Sequence, residues 1–158
     1  MATSQLMGSF NFRITLSGAD GRAPALGDGG FQECSGLDIE MDVHELPEGG
    51  RNDGLLRLVG RGKSAPIVLK RGLLFPGGGR VSGELWKWMQ DVLAGVRPVA
   101  RYNGVIDVLS ADAAGTVATW TFDRGLPSKI AGPQLNAKTG EIAIEELTIV
   151  HEGLRLKV

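Results

Sequence analysis

Apolar residues return at every second position in this chain, in short runs broken by glycine. Phe10, Phe12, Ile14 and Leu16 alternate with Asn11, Arg13 and Thr15 between residues 9 and 17. A β-strand sends successive side chains to opposite faces, so this spacing predicts a strand with one buried face. The period recurs at Leu37, Ile39, Met41 and Val43, with Asp38, Glu40 and Asp42 on the other face. Further strands are predicted at Ala65 to Arg71, at Tyr102 to Ser110 and at Thr116 to Arg124, where Ala118, Trp120 and Phe122 share a face. Pro66 is tolerated near the start of its run. Leu154, Leu156 and Val158 alternate to the last residue. Ile142 and Ile144 are out of step with Leu147 and Ile149, which predicts a β-bulge at Glu145–Glu146 that restores the buried face. The 24 glycines among 158 residues, about twice the usual share, fall between these runs and mark tight turns, as in the stretch from Ser17 to Gly30.

One segment has a helical period. Leu85, Trp88, Met89 and Val92 recur at i, i+3, i+4 and i+7, with Ser82 as the expected N-cap and Gly95 as the stop. Trp86 and Leu93 widen the apolar stripe, and its tryptophans are expected to pack on a sheet. No repeat and no second domain are legible. The predicted architecture is a mainly antiparallel β-barrel or sandwich with one flanking α-helix, a single domain over residues 1–158.

Motifs for chemistry are sparse. Gly62-Lys63-Ser64 has the ending of a phosphate-binding loop, but Arg57 stands where that loop needs its first glycine, and a β-type run follows instead of a helix. His44 and His151 each precede a glutamate without forming the paired-histidine metal motif on a helix, and one cysteine cannot build a structural zinc site. No G-x-S-x-G elbow is present. Same-face residues on a strand stand about 6.5–7 Å apart, so Asp38, Glu40 and Asp42 are spread too widely to close around one calcium ion, whose oxygens lie at about 2.3–2.6 Å. No catalytic residue, metal or cofactor is expected. Cys34 reads as a small apolar residue in a strand. A net charge of −1 gives no long-range attraction to nucleic acid. The four basic residues of the 51–63 stretch lack the interleaved aromatics of a nucleic-acid surface. The N-terminus lacks the apolar core of a secretory signal, and no run approaches the roughly 20 apolar residues of a membrane span. Synthesis in the cytoplasm is expected, without membrane insertion.

Four segments, in this order and spacing, carry a resemblance: GFQECSGLDIEMDVHELPEGGRNDG from residue 30, KRG at 70–72, ELWKWMQDV at 84–92 and IEELTIVHEGL from residue 144. Together they resemble the tail-tube proteins of contractile phage tails and extracellular contractile injection systems, from about Gly8 to Leu156. The resemblance implies a structural subunit and not an enzyme. Six copies would form a ring, rings would stack into a tube, and a contractile sheath would surround it. Baseplate, hub and spike proteins are implied partners, with effector cargo in the lumen. Ring formation answers a physical need, because unpaired sheet edges invite aggregation unless neighbours close them.

The Gly-rich segment 44–63 is expected to be an extended intersubunit arm. Leu46, Leu55, Leu56 and Leu58 would be an exposed apolar patch in a lone subunit, and Arg51, Asn52, Arg57 and Arg61 would meet polar groups of a neighbour. Asp38, Glu40 and Asp42 are expected to line the lumen. Alternatives are a type VI-like secreted ring protein, a monomeric β-barrel that binds an apolar ligand, and a hydrolase.

Overall fold

The structure is a computed structural model, and it describes residues 4–26, 30–50, 54–73, 80 and 82–157. The strands are β1 (Phe12–Gly18), β2 (Phe31–Ser35), β3 (Ile39–Leu46), β4 (Leu56–Ser64) and β5 (Ile67–Gly72). After the helix α1 (Glu84–Leu93) come β6 (Tyr102–Leu109), β7 (Thr116–Ala131), β8 (Ile144–Val150) and β9 (Gly153–Lys157). Seven of the nine strands form one antiparallel sheet in the order β1-β6-β7-β8-β5-β2, with β9 also on β7. The remaining two, β3 and β4, pair only with each other.

β7 organises the sheet because it runs through both of its halves. Residues 116–125 pair with β6 on one edge and residues 119–123 with β9 on the other, whereas residues 126–131 pair with β8. The change of partner falls at Arg124, which has φ 51 and sits in an irregularity where Tyr102↔Gly125 gives way to Gly104↔Phe122. A bulge of this kind bends a strand and lets it pass from one layer to the next. The bend is held by the Arg124 amide, which donates to Asn103 Oδ1 at 2.9 Å. Ile14, Leu16, Ile106, Phe122 and Leu154 from one half and Ile67, Leu69, Leu147 and Ile149 from the other meet in a common core.

α1 adds Leu85 and Trp88 to that core. Trp88 stacks edge-on against Tyr102 with centroids 4.7 Å apart, and its Nε1–H donates to the Ala100 carbonyl at 2.8 Å, so the ring is buried without an orphaned donor. The helix ends as expected at Gly95: its N–H reaches the Val92 carbonyl and that of Val96 reaches Asp91, the paired bonds of a Schellman stop. Its start differs from expectation. Gly83, not Ser82, is the N-cap, and no side chain caps it. Leu93 lies outside the packing stripe and is exposed.

Other expectations fail for physical reasons. Phe10 precedes β1 and is 74% exposed, so the buried face begins at Phe12 and Ile14. β2 is expected only at Cys34, because the stretch around it has no period-two contrast. The strand expected to stop at Arg124 continues through a second irregularity at Pro127–Lys129 as far as Ala131. The bulge expected at Glu145–Glu146 is absent, and β8 pairs with β5 in unbroken register from Ile144 to Ile149. Parity is kept because Glu145 itself points inward with Leu147 and Ile149, at 1% exposure. It accepts a hydrogen bond from Arg71 Nε and, at 3.0 Å, another from Trp86 Nε1. Arg71 is also buried and lies 5.7 Å from the centre of the Phe31 ring. A carboxylate satisfied on both oxygens can occupy a core position that an unpaired one cannot.

A two-stranded arm and the contacts that root it

The runs that become β3 and β4 alternate like the core strands, yet among the described residues no other strand or helix covers them to any extent. Ile39, Met41 and Val43, expected to face the core, are exposed, Ile39 at 71%. The segment 44–63, expected to be an extended arm, holds the end of β3 and β4 as far as Lys63.

The pair is rooted at its base. Gly36 has φ +91, and a Cβ there would fall 1.9 Å from the Pro66 carbonyl oxygen, so only glycine lets the two strand ends approach this closely. The Ala65 amide donates to the Asp38 carbonyl at 3.2 Å. The Ala65 carbonyl is in turn 3.2 Å from His151 Nε2, on the two residues that separate β8 from β9. His151 packs against Phe122, centroids 5.5 Å apart, which ties the arm root to the core.

Cross-strand partners place the side chains. Met41 faces Gly62 and Val43 faces Val59, so β4 carries one residue more than β3 across this interval. The bulge contains Gly60, where a Cβ would sit 2.0 Å from the Asp42 carbonyl oxygen. Beyond it, Lys63 lies opposite Glu40 and pairs with Asp42 at 2.8 Å. That hydrogen bond, followed by the charge of the same carboxylate, raises Lys63 above its ordinary value. Nearer the tip, Arg57 pairs with Glu45 at 3.8 Å.

Of the residues predicted as interface, Leu46, Leu55, Leu56 and Leu58 are exposed on the arm. Arg57 is held by the arm's own Glu45, and Arg61 lies exposed in β4. Arg51 and Asn52 lie outside the described residues. Glu40 and Asp42 share one face of β3 with Lys63, while Asp38 precedes the strand. Sequence reasoning missed Ile39, Met41, Val43 and Val59 as exposed arm residues, because their alternation is the same signal that marks a core strand. It also missed Gly60 and His151, whose roles depend on backbone contacts made far along the chain.

Cys34 lies half-buried in β2, and burial pushes its thiol up to about 11, so it stays protonated and poorly nucleophilic. Among the described residues no group of three or more His, Cys, Asp or Glu could hold a metal ion. No helix among them is long and apolar enough to cross a membrane.

The family described as the T4-like virus tail tube protein gp19 matches residues 8–155. No curated protein matches the sequence. Among solved structures, the chain is similar to one in the cryo-EM structure of the anti-feeding prophage baseplate, six-fold symmetrised. It is 25% identical to that chain over 99% of this chain and 97% of the other, with a TM-score of 0.79. It is also similar in fold to a chain of the anti-feeding prophage tube-terminating cap, with 20% identity, coverage of 99% and 94% and a TM-score of 0.80. A chain of the PVC sheath–tube complex, an extracellular contractile injection system in its extended state, gives 24% identity, coverage of 96% and 91% and a TM-score of 0.75. The one helix among the described residues and all of the seven-stranded sheet except the end of β9 lie within the matched residues, and the chain belongs to the T4-like virus tail tube protein family, as a structural subunit of a tube.

Proposed function

We infer that this chain polymerises into stacked six-membered rings that form the inner tube of a contractile injection system, without catalysing a reaction. The observation that carries this reading is the arm: apolar side chains on a strand pair that its own chain leaves bare. An apolar surface of this kind marks an interface, and the nearest supply of complementary surface in a homopolymer is another copy. Head-to-tail contacts that close give rings, and contacts along the axis that do not close give an extending stack. The arm is the intersubunit element in this reading, with Arg51 and Asn52 counted as interface residues from the sequence alone, and residues 1–158 act as one domain.

The partners are further copies, a contractile sheath outside, baseplate, hub and spike proteins at the end, and effector cargo within. Asp38, Glu40 and Asp42 line the lumen in this reading. The apolar face behind them is not a core face, however, and Lys63 neutralises part of the row. The subunit is made in the cytoplasm and works in an assembled particle. Replacing residues 50–61 by a short Gly–Ser linker tests the arm. The expected variant keeps its melting transition but sediments as a monomer and shows no tubes by negative-stain microscopy. Tubes of normal appearance would refute the assignment.

A further inference from the structure

Away from the arm, the loop after β1 and one face of α1 enclose a cavity of about 360 Å³, within the size range of small-molecule sites. The loop is held at both ends. The Ala19 amide donates to the Arg101 carbonyl at 2.9 Å, and the Leu26 amide donates to the Leu16 carbonyl at 3.1 Å. The cavity is therefore preformed. Ala23, Pro24, Leu26, Ala100, Trp88 and Tyr102 supply its apolar walls. Glu84, Lys87, Trp88 and Asp91 stand at i, i+3, i+4 and i+7 on α1 and all line it, so an indole lies between two carboxylates on one helix face. Seven steps of about 1.5 Å set Glu84 and Asp91 about 10.5 Å apart along the helix axis.

Two further observations give this cavity a preferred ligand charge. Tyr102 lines it, 4% exposed and packed on Trp88, yet among the described residues its hydroxyl has no hydrogen-bond partner. The fully enclosed side-chain atom without a partner among those residues is His151 Nδ1, so the Tyr102 oxygen is open to the cavity. A buried phenol normally has a partner, and here a bound group can supply one. Burial, followed by the charges of Glu84, Asp20 and Asp91, raises this hydroxyl above its ordinary value, while Lys87 acts the other way. The field at the hydroxyl is thus that of three carboxylates against one ammonium. Lys87 shows what the rim holds, because its ammonium pairs with Asp91 at 2.6 Å. An anion would meet like charge, and among the described residues no three acidic, histidine or cysteine side chains converge on a metal ion.

We propose that the cavity binds a linear aliphatic diammonium ion, one end at Glu84 and the other at Asp91, with its methylene chain over Trp88 and the Tyr102 hydroxyl beside it. A single ammonium cannot reach two carboxylates placed two helical turns apart, whereas a short diamine spans them. Charge-assisted hydrogen bonds hold the two ends, and the chain lies on the apolar walls as the stem of a lysine does. The Tyr102 oxygen accepts one further N–H. Lys87 competes for Asp91 and keeps the affinity below that of an unoccupied carboxylate. The site belongs to the body of the subunit and does not depend on polymerisation through the arm.

Cadaverine titrated into the unassembled full chain tests this by calorimetry, with the Trp88 indole N–H followed by NMR. Saturable binding that shifts the Trp88 signal is the expected result. Pentylamine, which has one ammonium, should bind on the order of threefold to tenfold more weakly, the loss of one charged hydrogen bond at a partly exposed rim. Glu84→Gln and Asp91→Asn should each reduce cadaverine to the level of pentylamine. Tyr102→Phe keeps the ring and should weaken both ligands. Lys87→Met should tighten cadaverine by about threefold or more, because Asp91 loses its internal partner. These replacements keep the shape of each side chain, so every variant should melt with the parent. If pentanol binds as tightly as cadaverine, the cavity is an apolar cleft and the proposal is wrong. It is equally wrong if cadaverine does not saturate, or if the Glu84 and Asp91 variants bind it like the parent.

Discussion

β5 with β8 and β3 with β4 are both antiparallel pairs with alternating apolar residues and cross-strand ion pairs. In the first, Ile67, Leu69, Leu147 and Ile149 are fully buried, and even the inward-facing ions, Arg71 and Glu145, are enclosed beneath Trp86. In the second, every apolar side chain is exposed, and the ion pairs Asp42–Lys63 and Glu45–Arg57 stand in solvent. Local pattern is therefore common to both pairs, and the difference lies in what covers them. The body covers its apolar faces within one chain; the arm leaves its own in solvent.

The largest break in this contrast should come from Glu145→Ala. It strands the buried Arg71 and leaves Trp86 Nε1 without an acceptor, which costs about 3–5 kcal/mol. Urea unfolding of the unassembled chain should show it, and a loss below about 1 kcal/mol would mean that the network is not buried in solution. The double variant Arg71→Met, Glu145→Leu should recover most of the loss.

A paired substitution sharpens the contrast further. Leu147→Ala empties a fully buried site and should cost about 2–5 kcal/mol, whereas Val43→Ala on the arm should change the stability of the unassembled chain by no more than about 0.5 kcal/mol. Equal losses at the two sites would mean that the arm folds back onto the body when alone.

The smallest effect concerns the Lys63–Asp42 pair, which is exposed. The lysine is raised above 10.5 by its hydrogen bond to Asp42, so the contribution of the pair is complete below that value and disappears as pH climbs through the folded midpoint. In Asp42→Asn, the midpoint followed by NMR at the Lys63 side chain should fall back towards 10.5. An unchanged midpoint would place Lys63 away from Asp42 in solution.

What could be read in advance follows the same division. Period two marked β1, β6, the first half of β7 and β9, and period 3.6 marked α1 down to its stop at Gly95, because each rests on neighbours within a few residues. The Glu145 position misled for a specific reason: a carboxylate on the core face is legible only when its partners are known, and Arg71 and Trp86 lie 74 and 59 residues away. Ile39, Met41 and Val43 misled in the opposite sense. Nothing in an alternating run says whether its apolar face will meet its own chain. The leucines of 46–58 were legible as exposed because the glycines and proline among them set the segment apart from the longer periodic runs.

The order of the strands also fixes when this chain can fold. β2 and β5 join the rest of the sheet only through β8, and β1 only through β6, so strands made early wait for partners made late. Until residues 144–150 leave the ribosome, β5 has no inner neighbour, while the apolar faces of the arm are already in water. Pairings of such long sequence separation form slowly, and synthesis at about 5–20 residues per second keeps the nascent chain in that unfinished state for seconds. The subunit thus completes its fold only after residues 144–150 have emerged, and during that interval its greatest hazard is the same exposed apolar surface that is proposed as the intersubunit element.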